Sequence, residues 1–133
     1  MAFRDEVTAY LKSLQDSICR ELEKADGEAR FRQDLWEREG GGGGRTRVIQ
    51  EGAVIEKGGV NFSSVEGNLP ENIQKALGIN SNYFFATGVS IVIHPNNPMV
   101  PIIHMNVRYF ETKASAEATE VEDSWFGGGI DLT

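Results

Sequence analysis

Residues Phe84 to Phe110 constrain this chain more than any other stretch. Two alternating segments, Ser90-Ile91-Val92-Ile93-His94 and Ile102-Ile103-His104-Met105-Asn106-Val107-Arg108-Tyr109-Phe110, are separated by a corner with three prolines and two asparagines, Pro95-Asn96-Asn97-Pro98-Met99-Val100-Pro101. Prolines and asparagines end ladders and start turns, so the two segments are predicted to form an antiparallel hairpin. A period of two sends His104, Asn106 and Arg108 to one face and Ile103, Met105, Val107 and Tyr109 to the other. The same period puts Ser90, Val92 and His94 together, away from Val89, Ile91 and Ile93. Burial of one face demands that like faces pair. The register expected on that ground sets His94 opposite His104, Val92 opposite Asn106 and Ser90 opposite Arg108, a patch rich in proton-transfer and anion-binding groups.

The remaining chain supplies layers for that hairpin. Phe3, Val7, Tyr10, Leu11, Leu14, Ile18 and Leu22 recur at helical steps and predict an amphipathic helix ending near Gly27. Residues 31–39 suit either a helical turn or a strand. Gly40 to Gly44 reads equally as a linker or as bare backbone near a ligand, with Arg45 and Arg47 beside it as candidate anion anchors. It lacks the Gly-Lys-Ser/Thr ending of a phosphate loop. Segments 47–50 and 53–56 predict a hairpin turning tightly at Glu51-Gly52, and Gly58 to Val65 a further strand whose glycines mark a bulge or bend. A short helix is expected over 70–77, an exposed acidic connection over 112–123, and a last strand from Trp125. Antiparallel hairpins with helices before and between them give an α+β fold.

Charge narrows the partners. The net charge is −7, and only residues 40–110 carry more basic than acidic groups, five against four. Nucleic acid and anionic membrane surfaces both select a basic footprint, so neither is expected. No apolar run is long enough to span a bilayer, so stable membrane insertion is not expected either. The single cysteine, Cys19, suits a reducing, cytoplasmic setting and is expected to be inert on its helix. Length fits one domain over residues 1–133. Because the sequence stops at what looks like a new strand after Gly127-Gly128-Gly129, a fragment of a longer chain is expected. His94 and His104 are the only histidines, fewer than the three protein ligands of a catalytic zinc site, and read either as a structural pair or as half of a divalent-metal site. Asp131, exposed by the preceding glycines, is a candidate acid or base.

Six stretches carry a resemblance. Trp36-Glu37-Arg38-Glu39, Gly59-Val60-Asn61-Phe62-Ser63, Gly88-Val89-Ser90, His94-Pro95-Asn96-Asn97-Pro98, His104 to Phe110 and Trp125 to Thr133 are similar, in the same order, to the oxygen-dependent coproporphyrinogen III oxidases. The resemblance implies a large antiparallel sheet flanked by helices on both faces, of which this chain is the N-terminal part, and a homodimer. It implies oxidative decarboxylation of two propionates of coproporphyrinogen III to vinyl groups, with O2 as co-substrate and no organic cofactor. By position, His104 corresponds to the proton donor and Asp131 to an aspartate near the pyrrole nitrogens. Ser90, Asn106, Val107 and Arg108 correspond to substrate-binding positions. His94 and His104 correspond to ligands of a divalent metal in bacterial members. The alternatives are a module that binds a tetrapyrrole or polycarboxylate without chemistry, a non-catalytic interaction domain, and an inactive portion of the enzyme.

Overall fold

In the computed structural model, which describes residues 2–133, six strands form one antiparallel sheet in chain order. They are β1 (Arg32–Glu37), β2 (Gly42–Gln50), β3 (Ile55–Asn68), β4 (Tyr83–Pro95), β5 (Ile103–Lys113) and β6 (Asp123–Leu132). Helix α1 (Phe3–Asp26) precedes them, and α2 (Glu71–Leu77) lies in the β3–β4 connection. The α+β class and the antiparallel sheet are those expected. Residues 31–39, ambiguous in sequence, contribute strand β1.

Helix α1 forms where apolar residues recur at three- and four-residue steps, with Asp5 and Glu6 favourably placed in its first turn. It stops at Gly27, whose φ of 86° is left-handed and whose N–H donates to the Glu23 carbonyl. Its inward stripe, Val7, Leu11 and Cys19, packs on Val60 and Phe62 of β3 and on Val89, Ile91 and Ile93 of β4. Each such side chain contributes roughly 1.5–3 kcal/mol when fully buried. Helix α2 buries none of its residues. One sheet face is therefore covered by α1, and the opposite face carries the even-numbered residues of β4 and β5.

A carboxylate ties α1 to the sheet. Asp26 is buried and accepts backbone N–H groups from Glu28, Ala29, Ala53, Val54 and Ile55. Those donors, led by Ala29 and Ile55, hold its carboxyl well below the usual carboxylate range. A Cβ at Gly52 would run into that carboxylate, which is why the turn has no side chain there.

Several expectations change. The central hairpin keeps like faces together but slides by one pair: Val92 faces His104, Ser90 faces Asn106 and Gly88 faces Arg108. The β2–β3 turn spans residues 51–54 rather than Glu51-Gly52 alone, closed by Glu51 and Gly52 N–H bonds to Glu56 and Ile55 carbonyls. The glycine run is no linker. Gly40 and Gly41 make the β1–β2 turn at positive φ, and Gly42 to Gly44 enter β2. Finally, Arg45 and Arg47 are not free anchors, because both point to the α1 side and share Asp16 at 2.8 Å. The acidic connection also begins later than expected, since Thr112 is fully buried within β5.

Candidate functional site

The uncovered face of the sheet is built from rows running across the strands. In one row His104 of β5 stands opposite Val92 of β4 and opposite Asp131 of β6. The next row runs Thr46, Asn61, Ser90, Asn106, Gly129. A third runs Trp36, Gly44, Ser63, Gly88, Arg108, Gly127. Beyond it lies an aromatic wall: Phe84 stacks on Phe110 at 5.7 Å, and Phe110 meets Trp125 at 4.7 Å. A hollow of about 140 Å³ bounded by Asn106, Arg108, Phe110, Trp125 and Gly127 opens beside that wall.

The floor of this face is nearly bare. Gly88, Gly127 and Gly129 have no side chains to raise above it, and a Cβ at Gly127 or Gly129 would meet nothing within 4 Å. Neither of those two has a positive φ. Glycine in a strand interior weakens the strand, so these two positions carry a cost that packing among the described residues does not explain. Gly128, facing α1, is different, since a Cβ there would collide with the Asn106 carbonyl.

Donors and charges on the face are free to act. Among the described residues, Arg108, His94 and His104 have neither a salt bridge nor a side-chain hydrogen bond, and Arg108 and His104 are exposed. On the β2–β3 side, Trp36 Nε1 donates to Thr46 Oγ1 at 3.0 Å, and Thr46 Oγ1 donates to Asn61 Oδ1 at 2.6 Å. The face can thus grip carboxylates at one end and exchange protons at the other.

Of the residues singled out in sequence, Ser90, His104, Asn106, Arg108 and Asp131 share this face. His94 shares it too, but it lies one pair beyond Val92, at the mouth of a hollow with Glu56, Ile102 and Thr133. Val107 does not. Its side chain points to the α1 side, into an apolar groove of about 530 Å³ bounded by Leu11, Met105, Phe126 and Ile130. That groove is larger than the hollow beside Arg108 yet holds no titratable side chain from the α1-facing residues, so its volume does not mark the chemistry. Among the described residues no three of His, Cys, Asp and Glu gather closely enough to hold a metal. His94 and His104 alone do not fit a complete metal site. Cys19 is buried on the sheet-facing side of α1, and burial pushes its thiol up, in keeping with an inert residue. Asn61, Thr46 and Trp36 were not singled out as site residues in sequence, although period two from Gly59 already places Asn61 opposite in face to Val60 and Phe62.

A family-wide sequence profile described as coproporphyrinogen III oxidase matches residues 6–133. Proteins named oxygen-dependent coproporphyrinogen-III oxidase from Coxiella burnetii, strains RSA 331 / Henzerling II and RSA 493 / Nine Mile phase I, are each 53% identical over 131 residues. The match takes in 96% of this chain and 41% of the length of those relatives.

Proposed function

The chain belongs to the coproporphyrinogen III oxidase family, and on that premise we propose that the whole protein oxidatively decarboxylates coproporphyrinogen III with O2 on the uncovered sheet face. The observation that carries this reading is the convergence of His104, Asp131, Ser90, Asn106 and Arg108 around a floor without side chains at Gly88, Gly127 and Gly129. A porphyrinogen is a broad apolar macrocycle bearing four carboxylates. It needs open area, an apolar flank and a few donors at its rim.

Each residue has a role that follows from its place. Arg108 rises between Gly88 and Gly127 with no carboxylate partner among the described residues, so its guanidinium fork is available to a propionate. Ser90 and Asn106, side by side on β4 and β5, add neutral hydrogen bonds. Val107 can reach a substrate on this face only through its backbone, since its side chain lies on the other face. For each propionate the balance is R–CH2CH2–COO⁻ + O2 + H⁺ giving R–CH=CH2, CO2 and H2O2. The substrate supplies both electrons, and protons must be removed and delivered at defined places. Asp131 stabilises positive charge or takes a proton at a pyrrole nitrogen, and His104, its neighbour across the ladder, delivers the proton that the balance requires.

No organic cofactor is assigned to the site. In bacterial members of the family a divalent metal on His94 and His104 would need further ligands from outside residues 2–133, and no step here is routed through one. The reading extends to a cytoplasmic protein that forms a homodimer. Among the described residues no helix is long and apolar enough to cross a membrane. Phe126 and Ile130, 64% and 69% exposed, offer apolar surface for further packing.

The test is turnover by the whole protein of coproporphyrinogen III under O2, following protoporphyrinogen formation and released CO2. Stoichiometric CO2 that vanishes under anaerobic conditions is expected. Binding without CO2 release would instead leave a tetrapyrrole-binding module.

A further inference from the structure

We propose that Asn61 is an additional substrate-binding residue, its amide N–H pair taking a substrate carboxylate, and that Thr46 and Trp36 are the residues that aim it. The assignment rests on the reading of the face as a tetrapyrrole site and adds a specific donor to it.

The direction of the hydrogen-bond chain settles which way the amide points. An indole N–H can only donate, so at 3.0 Å from Thr46 Oγ1 the Trp36 ring uses that oxygen as an acceptor. The Thr46 hydroxyl hydrogen is left over, and Asn61 Oδ1 at 2.6 Å is the one acceptor it has among the described residues. Asn61 Nδ2 therefore faces away from Thr46. Its two N–H groups find no acceptor among the described residues, and Asn61 is only half-buried.

What lies beside Asn61 is Ser90, its direct partner across β3 and β4, followed in the same row by Asn106. Three neutral hydrogen-bonding side chains on adjacent strands, spaced about 4.8 Å apart, span roughly 10 Å of the floor. Arg108 stands one row away on β5. An amide that offers two donors and has its acceptor already occupied suits a carboxylate rather than a cation. The Trp36 end is rigid, because the indole lies over Gly44 where a Cβ would strike the ring. Position 61 sits mid-strand between buried Val60 and Phe62, where asparagine is a poor strand former, so satisfying Thr46 is a weak reason for it.

Asn61→Asp separates this role from a structural one. Aspartate keeps an acceptor toward Thr46 and nearly the same shape, but replaces the outward donors with negative charge. In the whole protein, coproporphyrin, which carries four carboxylates, serves as a fluorescent probe beside its tetramethyl ester. Asn61→Asp should raise Kd for the acid by about tenfold or more and leave the ester unchanged, and Asn61→Ala should raise the acid Kd by about three- to tenfold. Thr46→Val, which frees the amide to rotate, should show a smaller loss confined to the acid. Unchanged acid affinity in both Asn61 variants, or equal weakening of acid and ester, overturns the assignment. Wild-type protein that binds coproporphyrin without turning over the reduced substrate removes the oxidase reading alone, and the acid-to-ester comparison still decides Asn61. Failure of wild type to bind either probe removes both.

Discussion

His104 and Asp131 face each other across neighbouring strands β5 and β6, and no hydrogen bond joins their side chains. Directly opposed residues hold their Cβ atoms about 5 Å apart, close enough for both side chains to reach one bound group. For the whole protein, His104→Ala is expected to lower kcat by about 100-fold with substrate affinity little changed, as for loss of a positioned acid. Asp131→Asn should also act on kcat. Circular dichroism checks that each variant folds, and near-normal kcat for His104→Ala would end its proton-donor role.

Arg108 tests grip rather than chemistry. Lysine would keep the charge but lose the planar fork that matches a carboxylate. Arg108→Lys should lower kcat/KM by roughly ten- to a hundredfold, the scale of about 1.5–3 kcal/mol for a hydrogen bond to a charged group. Steady-state kinetics with coproporphyrinogen III decide it, and an unchanged kcat/KM would remove the two-point contact.

Three successive glycines should respond differently to the same substitution. Gly127→Ala and Gly129→Ala have room in the fold and should leave Tm unchanged or slightly raised, while raising KM because the added methyl stands on the floor. Gly128→Ala meets the Asn106 carbonyl and should lower Tm. Thermal unfolding beside KM separates the two behaviours, and a common response at all three positions would contradict an open floor.

Asp26 predicts an acid limit on stability. Its carboxyl titrates below its unfolded value because five backbone N–H groups favour the charged form. Its stabilising contribution is therefore complete above the unfolded carboxylate pKa of about 3.9 and is lost as pH falls below that toward the folded value. Asp26→Asn should lower Tm at pH 7 and flatten the dependence of Tm on pH below 4. Parallel Tm profiles for wild type and variant across pH 2–5 would show that another group sets the limit.

The faces of the sheet were legible in the sequence because side-chain alternation is a local rule: Ser90, His104, Asn106 and Arg108 were assigned to one side from spacing alone. Their partners were not. A shift of two residues on one strand preserves every face, so the hydrophobic pattern could not choose between Val92 and His94 as the neighbour of His104, and the Pro/Asn corner does not announce its geometry. Arg45 and Arg47 were misread for a related reason. The carboxylate that takes them, Asp16, is 29 residues before Arg45 and on a helix, a contact that only tertiary packing creates. Asn61 lay in a stretch whose glycines suggested a bend, whereas Gly58 and Gly59 stay within a continuous β3 and the irregularity falls between Ile55 and Lys57.

Strand order along this sheet equals order along the chain. Every strand thus pairs with the one synthesised just before it, and the longest interruption between partners is the α2 connection from Asn68 to Tyr83. On a ribosome such a sheet can grow by successive addition, each new strand finding a template already in place, with little loop closure to wait for. The docking of α1 on β3 and β4 is the distant step, and it must await residues made well after the helix has emerged. Until β6 is added, His104 has no Asp131 beside it, so this pairing is among the last features of residues 2–133 to be assembled.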